Sequence, residues 1–563
     1  MESVLPRLPA KARHLLRLHR NGFPSAVRDE LASTIERAVR KGRVDVAARC
    51  ALVLARHDVG RGRPAEGIEW AMQVASVATE GALLVEAQLL TVDALTSLGR
   101  TDDAEALLSR VPDDLPERRI RLANLHAVRG DLGAALDVHN AAWESVGLQP
   151  IDVTAGPLPL LHRLRRTRDE AVEGPLVTVL VPCFEAEGTI DIALRSLAEQ
   201  TYRDLEIIVV DDASTDRSVE VVERWTEEDR RVRLLRQPER RGAYAARNLG
   251  LSRATGRWVR VHDADDWTHP DTIARQVAPL LAGEARWSAT RSIRTTDDLL
   301  CPPTQPGGHR RTDRLRDCYP SFLHPREALV AGWPDLPVNA DMVALEVLAL
   351  RLGGRPHVVL PDVPLSFQLT GDGLTSRAGP GHLDGRRTPN GYRWLVEADL
   401  AQTLSAGPDV PPADAVRLPA LRDLPQEVRL DVLHAIPFHP VDTPERDRTL
   451  VRIVAEARDG SHGVTNLPDA AARRPQRMDP AVLGVLRDHG ELGIVFAGQR
   501  VEADTLIVHD PTSLERMPDW LPEIHARRVV VQDGGRFEEH ADELRAAVAR
   551  LAPGATFEMR GAR

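Results

Sequence analysis

The sequence predicts an α/β multidomain protein. A central, mostly parallel Rossmann-like sheet domain lies between an N-terminal all-α helical-repeat domain and a C-terminal Rossmann-like α/β domain. Three observations predict this. Residues 1–150 carry apolar residues at helical spacing, as in Leu84, Ala87, Leu90, Val92 and Leu95. From Leu176 onward, short and nearly continuous apolar runs alternate with helical stretches, the pattern of a parallel sheet covered on both faces. The alternation resumes after the Pro-rich Ala406-Gly-Pro-Asp-Val-Pro-Pro412. At 563 residues the chain also exceeds what one hydrophobic core fills.

The helical region repeats its turns. Leu98-Gly-Arg-Thr-Asp-Asp-Ala104 is echoed by Val128-Arg-Gly-Asp-Leu-Gly-Ala134, and more weakly by Gly60-Arg-Gly-Arg-Pro-Ala65. A glycine ends one helix and a small residue opens the next. Such helix pairs mark a solenoid, and residues 1–150 resemble tetratricopeptide repeats without their large aromatic positions. Two roles are open: a module for a protein partner or self-association, and a cap over the next domain. Residues 151–174 read as a linker, with Gly156-Pro-Leu-Pro159 and the basic group Arg163, Arg165, Arg166 and Arg168 as a solvated face.

The middle domain, 175–400, has predicted strands at Val177–Val181, Leu205–Val210, Val232–Leu235 and Trp258–Val261. Helices are expected at 190–200, 219–225 and 243–254. A second linker, 401–427, precedes the C-terminal domain, 428–563. Its predicted strands are 428–433, 492–496, 505–508 and 528–531, with helices at 480–487 and 539–551. That domain has no Gly-rich dinucleotide fingerprint.

Composition narrows the classes. A net charge of -10 and no strongly basic stripe argue against a non-specific nucleic-acid binder. Lys11 and Lys41 are the lysines, and the remaining basic side chains are arginine, the coding bias of a GC-rich genome. Cys50, Cys183, Cys301 and Cys318 have no metal-ligand spacing and suit a reducing cytoplasm. Met1-Glu-Ser-Val-Leu-Pro lacks an apolar signal core, and no apolar run approaches the roughly 20 residues that span a bilayer. A cytoplasmic protein is expected, meeting any membrane substrate peripherally at the inner face.

The chemistry gathers where the middle-domain strands end. They end in Pro182-Cys-Phe-Glu-Ala-Glu187, Asp211-Asp-Ala-Ser-Thr-Asp216, Arg240-Arg-Gly-Ala-Tyr-Ala-Ala-Arg-Asn248 and His262-Asp-Ala-Asp-Asp266. Ligands of parallel sheets bind outside the strands' carboxyl ends. That edge offers acids for sugar hydroxyls, arginines for a diphosphate and a carboxylate cluster for a divalent cation. Singly these residues have plain structural readings: Asp216 and Asp271 as helix N-caps, Arg247 as a surface ion pair, His262 and His324 as structural histidines.

In series they resemble family 2 glycosyltransferases of the GT-A fold, over residues 176 to about 375. The matching motifs are Val-Pro-Cys-Phe-Glu-Ala-Glu (181–187), Ser-Leu-Ala-Glu-Gln-Thr-Tyr (196–202) and Val-Val-Asp-Asp-Ala-Ser-Thr-Asp (209–216). Gly-Ala-Tyr-Ala-Ala-Arg-Asn-Leu-Gly (242–250) and Asp-Ala-Asp-Asp-Trp (263–267) complete them. The resemblance implies that Pro182, Glu185, Asp211 and Asp212 line the donor's base and ribose. Arg247 would lie near the diphosphate, and Asp263, the first acid of the Asp-X-Asp motif, would bind the donor nucleotide. Asp265 and Asp266 would hold Mn2+ or Mg2+. Asp341, opening the helix that follows Pro337-Val-Asn, would be the general base. Glu185 departs from the family's asparagine, and Ala340 from its usual acid before the base.

The implied activity is inverting, metal-dependent, hexosyltransferase-type transfer from a nucleotide-diphosphate sugar to a glycan or lipid-linked hydroxyl acceptor. Cell-surface polysaccharide or glycoconjugate synthesis is the expected setting. Two alternatives stand beside it. A nucleotidyltransferase would want a lysine-bearing Gly-rich loop, and the middle domain has no lysine. A non-enzymatic scaffold on an inactive transferase core is the other. Tyr392-Arg-Trp394 lacks the glutamine of the processive motif. Ala503-Asp-Thr-Leu-Ile-Val-His-Asp-Pro511 and the stretch 521–533 resemble part of a GT-B half, so an accessory C-terminal domain is expected.

Overall fold

The structure is a computed structural model. It describes residues 24–370 except 61, 79–80, 302–313, 319–320, 330–331 and 334–339, a few residues between 9 and 16, and much of 427–560. The breaks in that last part include 438–443, 468–481, 486–488, 496–498 and 533–540. The expected linker up to 426, Tyr392-Arg-Trp394, most of the predicted helix 480–487 and Pro337-Val-Asn339 lie outside the described residues.

The N-terminal region is helical: α1 (Pro24–Arg40), α2 (Val44–Gly60), α3 (Pro64–Val77), α4 (Ala82–Ser97), α5 (Thr101–Leu108), α6 (Pro116–Val128) and α7 (Leu132–Ser145). Val27, Leu31, Ile35 and Ala38 recur every three or four residues on α1 and bury one face against Ala47, Cys50, Ala51 and Leu54 of α2. The repeated turns share one device. At Gly99 and Gly130 the backbone turns to positive φ, 73° and 81°. The next residue donates back across the helix end, Arg100 N to Leu95 O at 2.9 Å and Asp131 N to His126 O at 3.0 Å. Glycine takes this left-handed geometry without steric cost, so it ends these helices.

The stretch 151–174, expected as a linker, is built into the fold. It holds β1 (Ile151–Val153), a short α8 (Leu160–Arg163) and β2 (Leu164–Arg166), with β1 and β2 paired antiparallel. Its basic group pairs internally, Arg165 with Glu199 and Arg166 with Asp169.

The middle domain runs β3 (Val177–Cys183), α9 (Ile190–Ala198), β4 (Leu205–Asp211), α10 (Ser218–Glu228), β5 (Val232–Arg236), α11 (Ala243–Arg253) and β6 (Trp258–Val261). Next come β7 (Asp266–Thr268), α12 (Thr272–Leu281), β8 (Ser288–Ala289), β9 (Arg291–Thr295), β10 (Arg316–Asp317) and β11 (His324–Pro325). It closes with α13 (Ala340–Arg351), β12 (His357–Val358) and β13 (Ser366–Leu369). The main sheet has the order β11-β6-β3-β4-β5, with β6, β3, β4 and β5 parallel. Its strands are buried throughout β3 and β4 apart from Pro182. The order reverses between β3 and β6, the point where open α/β sheets bind ligands. A second sheet, β10-β9-β13-β7, stands beside it.

The helical region is fastened to this domain by buried contacts. Trp143 of α7 packs against Trp267, His269 and Phe367, with ring centroids 5.9, 4.8 and 5.8 Å away. Its indole N–H donates to Pro364 O at 2.8 Å. Asp93 of α4 accepts from both Arg121 and Arg314, at 2.7 and 2.6 Å, all three buried. Asp271 does occupy the N-cap position of α12, yet its carboxylate caps nothing. It accepts from the Gln149 amide and side chain instead, both at 2.9 Å.

The C-terminal domain comprises β14 (Glu427–Ile436), α14 (Pro444–Glu456), β15 (His462–Asn466), β16 (Gly493–Val495), β17 (Arg500–Val508), β18 (Glu523–Gln532), α15 (Ala541–Leu551) and β19 (Thr556–Arg560). All six strands pair in parallel, in the order β16-β15-β14-β17-β18-β19. This is the doubly wound Rossmann order. The sequence reading missed β15 and β19 and drew β14, β17 and β18 short. Leu450 and Ile453 of α14 share one apolar cluster with Leu345 and Leu348 of α13. Among the described residues no helix is long and apolar enough to cross a membrane.

Removing the Trp143 side chain opens a cavity between the two regions. Trp143→Ala is expected to cost about 3–5 kcal/mol in urea unfolding. It should also expose the 145–175 connection to limited proteolysis.

Candidate active site

The site is built around α11. Asp212, at the end of β4, is buried and accepts three hydrogen bonds. They come from Gln237 Nε2 and Arg241 N at 2.7 Å and from Gly242 N at 2.8 Å. Gly242 stands at φ 90°, which glycine adopts freely, and opens the helix. Asp212 therefore works from behind, fixing the loop that launches α11. From that helix Tyr244, Arg247 and Asn248 share one face, three and four residues apart. Asn248 clamps Trp333, accepting from its N–H and donating to its carbonyl, both at 2.8 Å. Arg247 is buried and donates to Asp263 at 2.9 Å, with its guanidinium 4.9 Å from the Tyr244 ring. Tyr244 donates to Asp341 at 3.2 Å.

The first two strand-end loops brace each other. Glu185 stands at φ 47°, and its carboxylate accepts from Thr215 N at 2.7 Å and Thr215 Oγ at 2.9 Å. Asp211 is buried and accepts from Ser214 N at 3.3 Å. Asp216 lies one residue before the N-cap of α10, yet still accepts from Ser218 N at 3.0 Å. Pro182 is half-buried at the mouth between these loops. The charge that Glu185 brings is thus spent on the neighbouring loop.

The acids after β6 are held apart in role. Asp263 has Arg247 as its counter-ion. Asp266 is buried and accepts from Gln368 of β13 at 3.3 Å. Asp265 is half-buried between them. Burial, then Asp263, pushes the Asp265 carboxyl up to about 7. Burial, then Asp265 and Asp263, pushes Asp266 well above the usual carboxylate range. Arg294 is the further cation whose field reaches both. His262 is buried, with Nε2 3.1 Å from the Asp266 carbonyl, and burial lowers it to about 3. His324 is likewise buried and lowered to about 4 by burial. Both rings are neutral near pH 7, so neither adds charge to the cluster.

Between the acids and α13 lies a pocket lined by Arg247, Phe322, His324, Trp333 and Asp341. Asp341 opens α13 there, in its first turn. The structure thus sets Arg247 and Asp341 in the wall of one pocket, with Asp263 hydrogen-bonded to that arginine. Tyr244, Asn248, Trp333 and Gln368 were missed from sequence. The helical spacing of Tyr244 and Asn248 to Arg247 was a usable signal, whereas Trp333 and Gln368 arrive only through folding.

A divalent cation fits the acids on their own chemistry. Neighbouring carboxylates in a buried site favour shared protons or a shared cation. Among the described residues no three His, Cys, Asp or Glu side chains form a ready cation cage. Mg2+ needs none, because one or two carboxylates with substrate phosphates and water complete its shell. Asp265 with Asp266 is that smaller set.

A raised carboxyl binds more protons folded than unfolded, so its contribution is lost as pH rises through the folded value. Without added cation, stability should fall by on the order of 2 kcal/mol from about pH 5 to about pH 8. Mn2+ should restore it at the upper pH and do little at the lower. Asp265→Asn should flatten both responses, read by thermal unfolding across pH.

Residues 178–325 match the family model described as Glycosyl transferase family 2. A Haemophilus influenzae uncharacterized glycosyltransferase is 35% identical over 103 residues, 18% of this chain and 41% of that protein. A putative teichuronic acid biosynthesis glycosyltransferase of Bacillus subtilis, TuaG, is 33% identical over 116 residues, 21% of this chain and 46% of that protein. The chain thus spans less than half the length of these curated relatives. S. aureus TarS 1-349 in complex with UDP-GlcNAc aligns at 19% identity and a TM-score of 0.33, over 43% of this chain and 69% of that one. The likeness to glycosyl transferase family 2 lies within residues 178–325 of the middle domain.

Proposed function

We propose that this protein is an inverting, metal-dependent glycosyltransferase that moves a hexosyl unit from a nucleotide-diphosphate sugar to an acceptor hydroxyl. One observation carries the reading. At the sheet's reversal point, Arg247 lines one pocket with a separate acid, Asp341, and is hydrogen-bonded to Asp263, the first acid of the cluster after β6. The donor's base and ribose would lie against Pro182, Asp211 and the loop braced by Glu185, while Asp212 sets that region from behind. Asp265 with Asp266 would hold Mn2+ or Mg2+, which when bound neutralises charge on the leaving diphosphate.

The chain's own groups do the rest. Arg247 neutralises Asp263 and fixes its direction, so the remaining carboxylates face the donor uncompensated. Asp341 accepts the proton of the acceptor hydroxyl as that oxygen attacks the anomeric carbon. The new C–O bond forms as the bond to the phosphate oxygen breaks, and one displacement inverts the centre. The diphosphate leaves without a proton, so no second catalytic carboxylate is needed. Trp333 and Phe322 supply apolar walls that keep water from the reacting carbon.

The likeness to TuaG supports a role in cell-surface polysaccharide synthesis, with a glycan or lipid-linked acceptor met at the cytoplasmic face of the membrane. Calorimetric titration with a panel of nucleoside diphosphates, with and without Mn2+, tests the donor site. One nucleotide should bind only with the cation, and Asp265→Ala should weaken it by about tenfold or more. Absence of binding by every nucleotide would sink the reading.

A further inference from the structure

We infer that Tyr244 is a positioning residue for Asp341 that ties the proton-accepting side of the pocket to the acid cluster. The inference rests on Asp341 being the base. Three contacts run in series: Asp263 to the Arg247 guanidinium at 2.9 Å, that guanidinium over the Tyr244 ring at 4.9 Å, and the Tyr244 hydroxyl to Asp341 Oδ1 at 3.2 Å. Tyr244 and Arg247 sit three residues apart on α11, so one rigid helix holds both distances.

Asp341 is in the first turn of α13. An aspartate there has several rotamers to choose from. The phenol donates to one carboxylate oxygen and selects among them. That bond holds the carboxylate at the wall of the pocket that Asp341 lines with Arg247 and Trp333. The phenol itself neither gives nor takes a proton in the transfer. Its ring also packs with the apolar cluster beneath α13, which fixes the hydroxyl's height over the pocket.

The test is release of nucleoside diphosphate from a panel of UDP- and GDP-linked hexoses in the presence of Mn2+. Four full-length proteins are compared: wild type, Tyr244→Phe, Asp341→Asn and the double variant. Phenylalanine keeps the ring and removes only the hydroxyl. Tyr244→Phe is expected to lower kcat about tenfold with donor KM unchanged, and to cost nothing further in the Asp341→Asn background. Equal losses in both backgrounds, or none in either, would overturn the positioning role. Thermal unfolding of the same four proteins reads the pair without activity. Non-additive shifts support the Tyr244–Asp341 bond, and additive shifts overturn it. A wild type silent with every donor would instead defeat the transferase reading, leaving the unfolding cycle to decide the pair.

Discussion

Everything in the middle domain is arranged around a charge problem. Three aspartates follow β6 within four residues, and burial denies them the water that would screen their repulsion. Isolated carboxylates in such a place hold protons instead. The fold relieves one of them permanently, giving Asp263 the buried Arg247. Among the described residues, Asp266 receives the Gln368 amide and both remaining acids feel the more distant field of Arg294. A site left short of positive charge at the end of a parallel strand is suited to receive it from outside, with the ligand that carries it.

Relief of Asp263 has consequences for the rest of the pocket. Arg247 must be buried and aimed, and α11 does the aiming. The start of that helix is set by Asp212, which spends all its hydrogen bonds on the loop 237–242. The same helix carries Asn248 to Trp333 and Tyr244 to Asp341. A single short helix thereby fixes the acid cluster, an aromatic wall and the acid across the pocket relative to one another.

The second support comes from outside the domain. β7 begins at Asp266, and Trp267 beside it packs against Trp143 of the helical region and Phe367 of β13. Buried Asp93 pairs with Arg121 from its own region and Arg314 from the other, and Glu117 supplies the second negative charge. Removing either side would strand buried charge, which costs far more than a surface pair. The helical region is therefore part of the middle domain's packing, although its turns repeat like a free-standing array.

Much of this was legible in the chain itself. Apolar runs of strand length between helical stretches gave the parallel sheets, because such strands are covered on both faces and must be apolar throughout. The helices 190–198, 218–228 and 243–253 fall within a few residues of their predicted limits, since helical periodicity survives without tertiary information. The acids and Arg247 stood out because strand ends are where such sheets place chemistry. The strands at 462–466 and 556–560 escaped notice, being short and mixed in polarity.

What the sequence determined by itself was the order of elements, the glycine-ended turns and the residues gathered at one sheet edge, all consequences of local periodicity and backbone sterics. What only the tertiary structure decided was which of those residues line a common pocket and which bond to one another. Asp212 and Glu185 turn out to brace loops, and Asp271 to receive Gln149 from a different region. The stretch 151–174 becomes a packed hairpin rather than a linker. Hydrogen-bond partners distant in the chain are chosen by packing, and no local pattern records them.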